Sequence, residues 1–141
     1  ICNLKIRIMT KNSFLIAVLL AALIPAMYAQ NNNKPVWKEL KTFHGFMSST
    51  FHPAEEGNFV PLRQKADSLL IAARNWQASP IPADFKPAET RAALEKLVAQ
   101  CTRVKKEVDN KAGDEVLMKN ITEAHNVFHT IVGECRKTEG H

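Results

Sequence analysis

Residues 114–137, DEVLMKNITEAHNVFHTIVGECRK, indicate the fold, because their apolar side chains recur at alternating three- and four-residue steps. The predicted buried stripe takes one side chain from each turn: Met118, Ile121, His125, Phe128, Val132 and Cys135. Asp114 and Glu115 begin the segment, and Arg136 and Lys137 end it. The helix dipole favours this order of charges. The segment therefore predicts an amphipathic helix with one buried face.

Three earlier segments have the same periodicity and predict an all-α fold. We expect helices from about Pro35 to Phe51, from Asn58 to Gln77 and from Pro87 to Val108, with His52-Pro53 and Gly57 ending the first. The predicted buried residues of the first helix are Trp37, Leu40, His44, Met47 and Phe51. Those of the second are Leu62, Ala66, Leu69, Ala73 and Trp76, and those of the third are Leu94, Leu97, Cys101, Val104 and Val108. Short connections between helices of similar length favour an antiparallel up-down-up-down four-helix bundle.

The amino-terminal segment has the features of a secretory signal peptide. Lys11 provides a positive charge, residues 14–24 are apolar, and Ala26-Met27-Tyr28-Ala29 offers a small-residue cleavage site. The chain begins with Ile1 and has Met9 just before this leader, so we expect translation to start at Met9.

The predicted organisation is a signal peptide over residues 1–29, with an over-extended N-terminus, and a four-helix bundle over residues 30–141. We expect a periplasmic or secreted protein with no stable membrane insertion after cleavage, since no second long apolar run follows.

The charge balance argues against a nucleic-acid partner. The chain has 19 Lys and Arg against 14 Asp and Glu. Lys5, Arg7 and Lys11 lie in the predicted leader, so the mature chain keeps a net charge of about +2 and has no extended basic patch.

His125 and His129 are four residues apart on the predicted fourth helix, so both imidazoles point the same way and can reach one metal ion. His44 occupies a predicted core position on the first helix, at the height that antiparallel packing gives to His125. A core imidazole carries a desolvation cost that leucine would not. We therefore expect His44, His125 and His129 to bind a metal in the core, the alternative being that they only pack and hydrogen-bond.

Met47, Cys101 and Asp67 are candidate fourth ligands at the same height. Three imidazoles with an open position suit zinc or copper, and a thioether or thiol ligand would favour copper. For Met47 and Cys101 the alternative is ordinary core packing.

A second group of ligand-type residues lies in TFHPAEEGN, residues 50–58, at the predicted corner between the first two helices. His52 or Glu56 would complete the main site if this corner folds over the end of the bundle, or would form a surface metal site. Helix capping and turn formation are the alternative.

Cys101 and Cys135 are expected to be free, buried thiols. Antiparallel packing would separate them by about 20 Å at 1.5 Å per residue, which exceeds the reach of a disulfide.

Sequence signatures of an enzyme are absent: there is no glycine-rich phosphate loop, no serine elbow and no HExxH pair. Glu123 precedes His125 by only two residues, which does not match the spacing of carboxylate-bridged di-iron bundles. We therefore expect a binding protein.

In length, export signal and helix order, with Met47 on the first helix and His125 on the fourth, the chain resembles the periplasmic four-helix-bundle cytochromes, the cytochrome c-prime and soluble cytochrome b group. The resemblance implies noncovalent haem b between Met47 and His125 or His129, and electron transfer. The sequence departs from this group because it has no Cys-x-x-Cys-His and its histidine pair lies mid-helix. The segments 51–58 and 125–135 also resemble a family of small secreted bacterial proteins, a likeness that implies no activity.

Three functions follow as hypotheses. The first is an exported bundle that binds zinc or copper for storage, buffering or sensing. The second is a haem-binding electron carrier, and the third is a structural or partner-binding bundle without a cofactor. Homodimerisation stays open in all three.

Overall fold

The computed structural model describes residues 36–138, and within them the chain forms four α-helices and no strand. The helices are α1 Lys38–Glu55, α2 Val60–Ala78, α3 Pro87–Asp109 and α4 Asp114–Gly133. The predicted all-α, four-helix fold is confirmed at this level. The predicted signal peptide, its start at Met9 and its cleavage site lie outside the described residues.

The helices form a closed ring around one core. Each helix packs against the next along the chain, and α1 contacts α4 more sparsely to complete the ring. The core includes the large side chains Phe43, Trp76, Phe85 and Phe128 together with leucines from α2, α3 and α4. Among residues 36–138, none of the helices combines the length and the apolar character that crossing a membrane requires.

The predicted stripes of α2 and α3 match the buried faces. All five predicted residues of α2, from Leu62 to Trp76, are buried, and so are Leu94, Leu97, Cys101 and Val104 of α3. Val108 is half-buried against the core.

The predicted stripe of α1 is wrong in its rotation about the helix axis, and His44 is exposed rather than in the core. Met47 and Phe51 are buried as predicted, but Phe43 and Thr50 accompany them. Two slightly different rotations of α1 about its axis would each bury Met47 and Phe51. The observed rotation also buries the ring of Phe43, which is larger than the imidazole of His44.

In α4 the predicted stripe is rotated in the same way. Ile121 and Phe128 are buried as predicted, but the remaining buried positions are Leu117, Asn120, Ala124, Val127 and Ile131. His125 therefore lies at the edge of the buried face, where it is half-buried, and His129 is exposed.

The predicted break at His52-Pro53 is also wrong, because α1 continues through Pro53 to Glu55. Pro53 has no amide hydrogen, so α1 lacks the backbone hydrogen bond that residue 53 would donate to the carbonyl of Ser49. The chain turns at Gly57, where φ is +83°. The amide of Gly57 donates to Ala54 O at 3.0 Å and that of Asn58 to Pro53 O at 2.8 Å, the two bonds of a Schellman motif.

Contacts between the ends of the helices hold the connections in place. Trp37 Nε1, just before α1, donates to Ser79 Oγ, just after α2, at 2.8 Å. Arg63 in the first turn of α2 pairs with Asp114 at the start of α4, at 2.8 Å. These contacts join the first helix to the second and the second to the fourth.

The segment after α4 pairs with the segment before α3. The amide of Lys86 donates to Cys135 O and that of Lys137 to Asp84 O, each at 2.8 Å. The guanidinium of Arg136 lies 5.2 Å from the centre of the Phe85 ring. We call residues 84–86 and 135–137 the terminal clasp.

Candidate metal site

The two imidazoles of α4 approach each other across one helical turn. Nε2 of His125 lies 3.2 Å from Nε2 of His129, and the two ring planes are nearly perpendicular. Two zinc–nitrogen bonds of about 2.05 Å at a tetrahedral angle place their nitrogens about 3.3 Å apart. The two side chains therefore already have the nitrogen separation of two ligands of one ion.

Aromatic rings support these histidines where α1 faces α4. The His125 ring stacks on Phe51 with centroids 3.9 Å apart and planes within 13°. The His44 ring stacks on Phe128 at 5.3 Å, with planes within 3°. We call this surface, lined by His44, Phe51, His52, His125, Phe128 and His129, the α1–α4 seam.

His52 also belongs to the seam and has a carboxylate partner. Its Nδ1 lies 3.0 Å from Oε2 of Glu55, one helical turn further along α1. Its ring and that of Phe51 meet in an edge arrangement, with centroids 5.7 Å apart and planes at 60°. If Nδ1 carries the proton and donates it to Glu55, the lone pair of Nε2 remains free for a ligand or ion.

The surroundings of His125 favour its neutral form. Burial lowers the pKa of His125 below its ordinary value of 6.5, and the neighbouring charges of His129, His52 and His44 lower it further, while Glu55 raises it. A metal binds only the neutral imidazole, so a lowered pKa removes the competing proton at neutral pH.

The structure does not form the predicted core site of three imidazoles. His44 is exposed and His125 and His129 lie at the surface, whereas Met47 and Cys101 are buried in the core at 1% and 0% exposure. Burial raises the pKa of Cys101 to about 12, so its sulfur stays a protonated thiol, which is a poor metal ligand.

Asp67 and Glu56, the other predicted metal ligands, lie on exposed surfaces. Asp67 is exposed on α2, which packs against α1 and α3, and within residues 36–138 no hydrogen bond or ion pair joins it to a histidine. Glu56 is exposed at the end of α1, where its amide bonds to His52 O and Pro53 O. Throughout this part of the chain, no three His, Cys, Asp or Glu side chains are already gathered around one point.

Met47 and His125, the predicted axial pair of a haem, lie in different surroundings. Met47 is enclosed by core side chains, and Nε2 of His125 points to His129. Two surface grooves, of about 450 and 340 Å³, lie between α1 and α2 and between α3 and α4, and neither is lined by Met47 or His125.

Glu55, Phe51 and Phe128 are the site residues that the sequence interpretation missed in these roles. His52 and Glu55 have the spacing of one helical turn, which would have indicated their contact. That signal was lost because the first helix was predicted to end at Phe51. Phe51 and Phe128 were assigned to the core, but each also offers a ring face to a histidine.

Cys101 and Cys135 are free and buried, as predicted. Comparison of the chain with protein-family models, with curated proteins and with solved structures found no match.

Proposed function

We propose that the protein is an exported transition-metal-binding bundle, serving storage, buffering or sensing, and that His125 and His129 hold the ion at the α1–α4 seam. The observation that carries this proposal is the 3.2 Å separation of the two Nε2 atoms. The exposed position of His129 gives an ion in solution direct access to the pair.

The donor set indicates the class of ion. Imidazole nitrogens suit zinc, copper and nickel, and the sulfur atoms of Met47 and Cys101 are enclosed in the core. Two protein ligands leave positions open for water or further donors. Such a site exchanges its ion readily, which favours buffering or sensing over permanent structural binding.

We infer an up-down-up-down arrangement in which neighbouring helices are antiparallel. Trp37 before α1 bonds to Ser79 after α2, and the terminal clasp pairs the residues before α3 with those after α4. Both contacts join the start of one helix to the end of its neighbour, as antiparallel packing requires.

Export is supported by the predicted leader, and N-terminal sequencing of protein from the periplasm or medium tests it, with Gln30 the expected first residue.

Calorimetric titration of the purified protein with zinc and with copper tests the metal site. We expect one ion per chain, with affinity reduced at least tenfold in His125→Ala and in His129→Ala. His44→Ala is the matched control, because it removes an imidazole from the same seam without touching the pair.

The proposal fails if the wild-type protein binds neither ion, or if both α4 variants bind as the wild type does. The pair would then be two hydrogen-bonded imidazoles in a bundle without a cofactor. Absorbance of the same preparation tests the haem alternative, for which a Soret band would be the evidence.

A further inference from the structure

The α1–α4 seam is the least extensive of the interfaces between neighbouring helices in the ring. The other neighbouring pairs make much more extensive contact than α1 and α4 do. The aromatic side chains Phe43, Phe51 and Phe128, with the stacked rings of His44 and His125, occupy the space between these two helices. An ion bound at the seam is therefore well placed to join α1 to α4.

His52 is the side chain of α1 best prepared to act as a ligand. Its Nδ1 is held 3.0 Å from the Glu55 carboxylate, so a proton on Nδ1 is donated to that oxygen and Nε2 keeps its lone pair. Metal-binding histidines commonly have such a carboxylate partner, which sets the tautomer and makes the ligand nitrogen more basic.

His52 and the α4 pair share one neighbourhood. The Phe51 ring contacts both His125, by stacking, and His52, in an edge arrangement. His44, by contrast, lies on the ring of Phe128, further along the seam.

We propose, building on the two-histidine site proposed above, that His52 is the third ligand of the ion and that Glu55 positions it, so that the bound ion bridges α1 and α4. The side chains of His52 and Glu55 are 61% and 47% exposed. They can therefore turn together towards the His125–His129 pair without disturbing core packing. Three imidazoles with a water in the fourth position make a tetrahedral zinc site.

Bridging gives the site a structural consequence. A site on α4 alone would bind its ion whatever the position of α1. A bridged site requires α1 to lie against α4, so the ion reinforces the sparsest interface of the bundle. Metal binding then couples directly to the packing of the two helices.

Zinc titration of four single variants of the full chain tests this proposal. We expect His52→Ala to weaken zinc binding about 10- to 100-fold and Glu55→Gln to weaken it about tenfold. Glu56→Gln and His44→Ala are the controls and should bind as the wild type does. Glu56→Gln removes the same charge as Glu55→Gln from the adjacent position. All four positions are exposed, and circular dichroism checks that each variant folds.

Long-range ¹H–¹⁵N NMR of the imidazoles distinguishes a ligand from a residue that acts indirectly. On adding zinc, we expect the Nε2 resonances of His52, His125 and His129 to shift, and both ring resonances of His44 to stay in place. In Glu55→Gln the Nδ1 resonance of His52 should change before any zinc is added.

The outcomes separate this inference from the proposed function. If His52→Ala binds zinc as tightly as the wild type while His129→Ala does not, the two-histidine site stands and the bridge is wrong. If Glu55→Gln loses binding and His52→Ala does not, Glu55 is itself the ligand, and the assignment of His52 is overturned. If the wild type binds no zinc, both proposals fail.

Discussion

His125 shows how the surroundings of one residue set its chemistry. It is half-buried against Phe51, and His129, His52 and His44 add positive charge around it when they are protonated. Both effects disfavour the imidazolium. A histidine at the edge of a buried face thus remains a free base at neutral pH while it keeps contact with solvent.

We expect NMR titration to give His125 a pKa below 6.5. In His129→Gln this pKa should rise, because one neighbouring positive charge is lost. It should still stay below 6.5, because burial is the largest cause of the shift. In Glu55→Gln it should fall further, since the negative charge of Glu55, which raises it, is removed. A pKa of 6.5 or higher in the wild type would contradict this account.

The lowered pKa also has a defined effect on stability. Because the folded-state pKa lies below the unfolded value, the unfolded chain takes up the proton more readily. The stabilisation due to neutral His125 is complete above the unfolded pKa and is lost as pH falls through the folded pKa. Urea unfolding between pH 7.5 and 5 should show a decrease in stability that is smaller in His125→Phe. Equal decreases in the two proteins would assign the effect to other groups.

At the scale of elements, α1 and α3 end in the same way but with different residues. The left-handed position is Gly57 after α1, with φ +83°, and Lys111 after α3, with φ +54°. After α3 the amide of Lys111 donates to Val108 O at 3.0 Å and that of Ala112 to Glu107 O at 2.9 Å, repeating the Schellman pattern. A side chain strains the left-handed conformation, and glycine does not.

These two helix ends predict opposite effects of substitution. Gly57→Ala should destabilise the protein by about 1 kcal/mol. An added Cβ would meet no atom within 4 Å, so the cost comes from the backbone alone. Lys111→Gly should stabilise it by about 0.5 to 1 kcal/mol, because relief of strain exceeds the entropy gained by the unfolded chain. Urea unfolding measures both, and changes of the same sign would rule out this explanation.

At the scale of the whole molecule, the two thiols report on different parts of the fold. Cys101 lies in the centre of the core and its pKa is raised to about 12 by burial. Cys135 is also buried, but it belongs to the terminal clasp, where its carbonyl accepts a hydrogen bond from Lys86. Opening of the clasp exposes Cys135, whereas exposure of Cys101 requires separation of the helices.

We expect Cys135 to react with a thiol reagent faster than Cys101 in the native protein. The single variants Cys135→Ser and Cys101→Ser each leave one thiol of the described region to follow by absorbance. The modification of Cys101 should accelerate with urea in parallel with global unfolding, while that of Cys135 should depend less on urea. If Cys101 reacts in buffer as fast as in unfolded protein, the core does not protect it.

The sequence by itself determined that four helices form, where α3 and α4 begin, and which faces of α2 and α3 are buried. These features depend on local periodicity and on proline and acidic residues at helix starts, all of which are visible in the chain. It also determined that His125 and His129 approach each other, because a spacing of four residues brings side chains together on any α-helix.

Only the tertiary structure decided how α1 and α4 are rotated about their axes. Each helix offers two neighbouring apolar stripes that share residues. In α1 the observed stripe buries the ring of Phe43 in place of His44, and in α4 it buries aliphatic side chains such as Leu117, Val127 and Ile131 in place of His125. That choice placed Phe43 inside and His44 outside, and it moved the histidine pair from the core to the α1–α4 seam. The contact between His52 and Glu55 likewise depended on α1 continuing through Pro53.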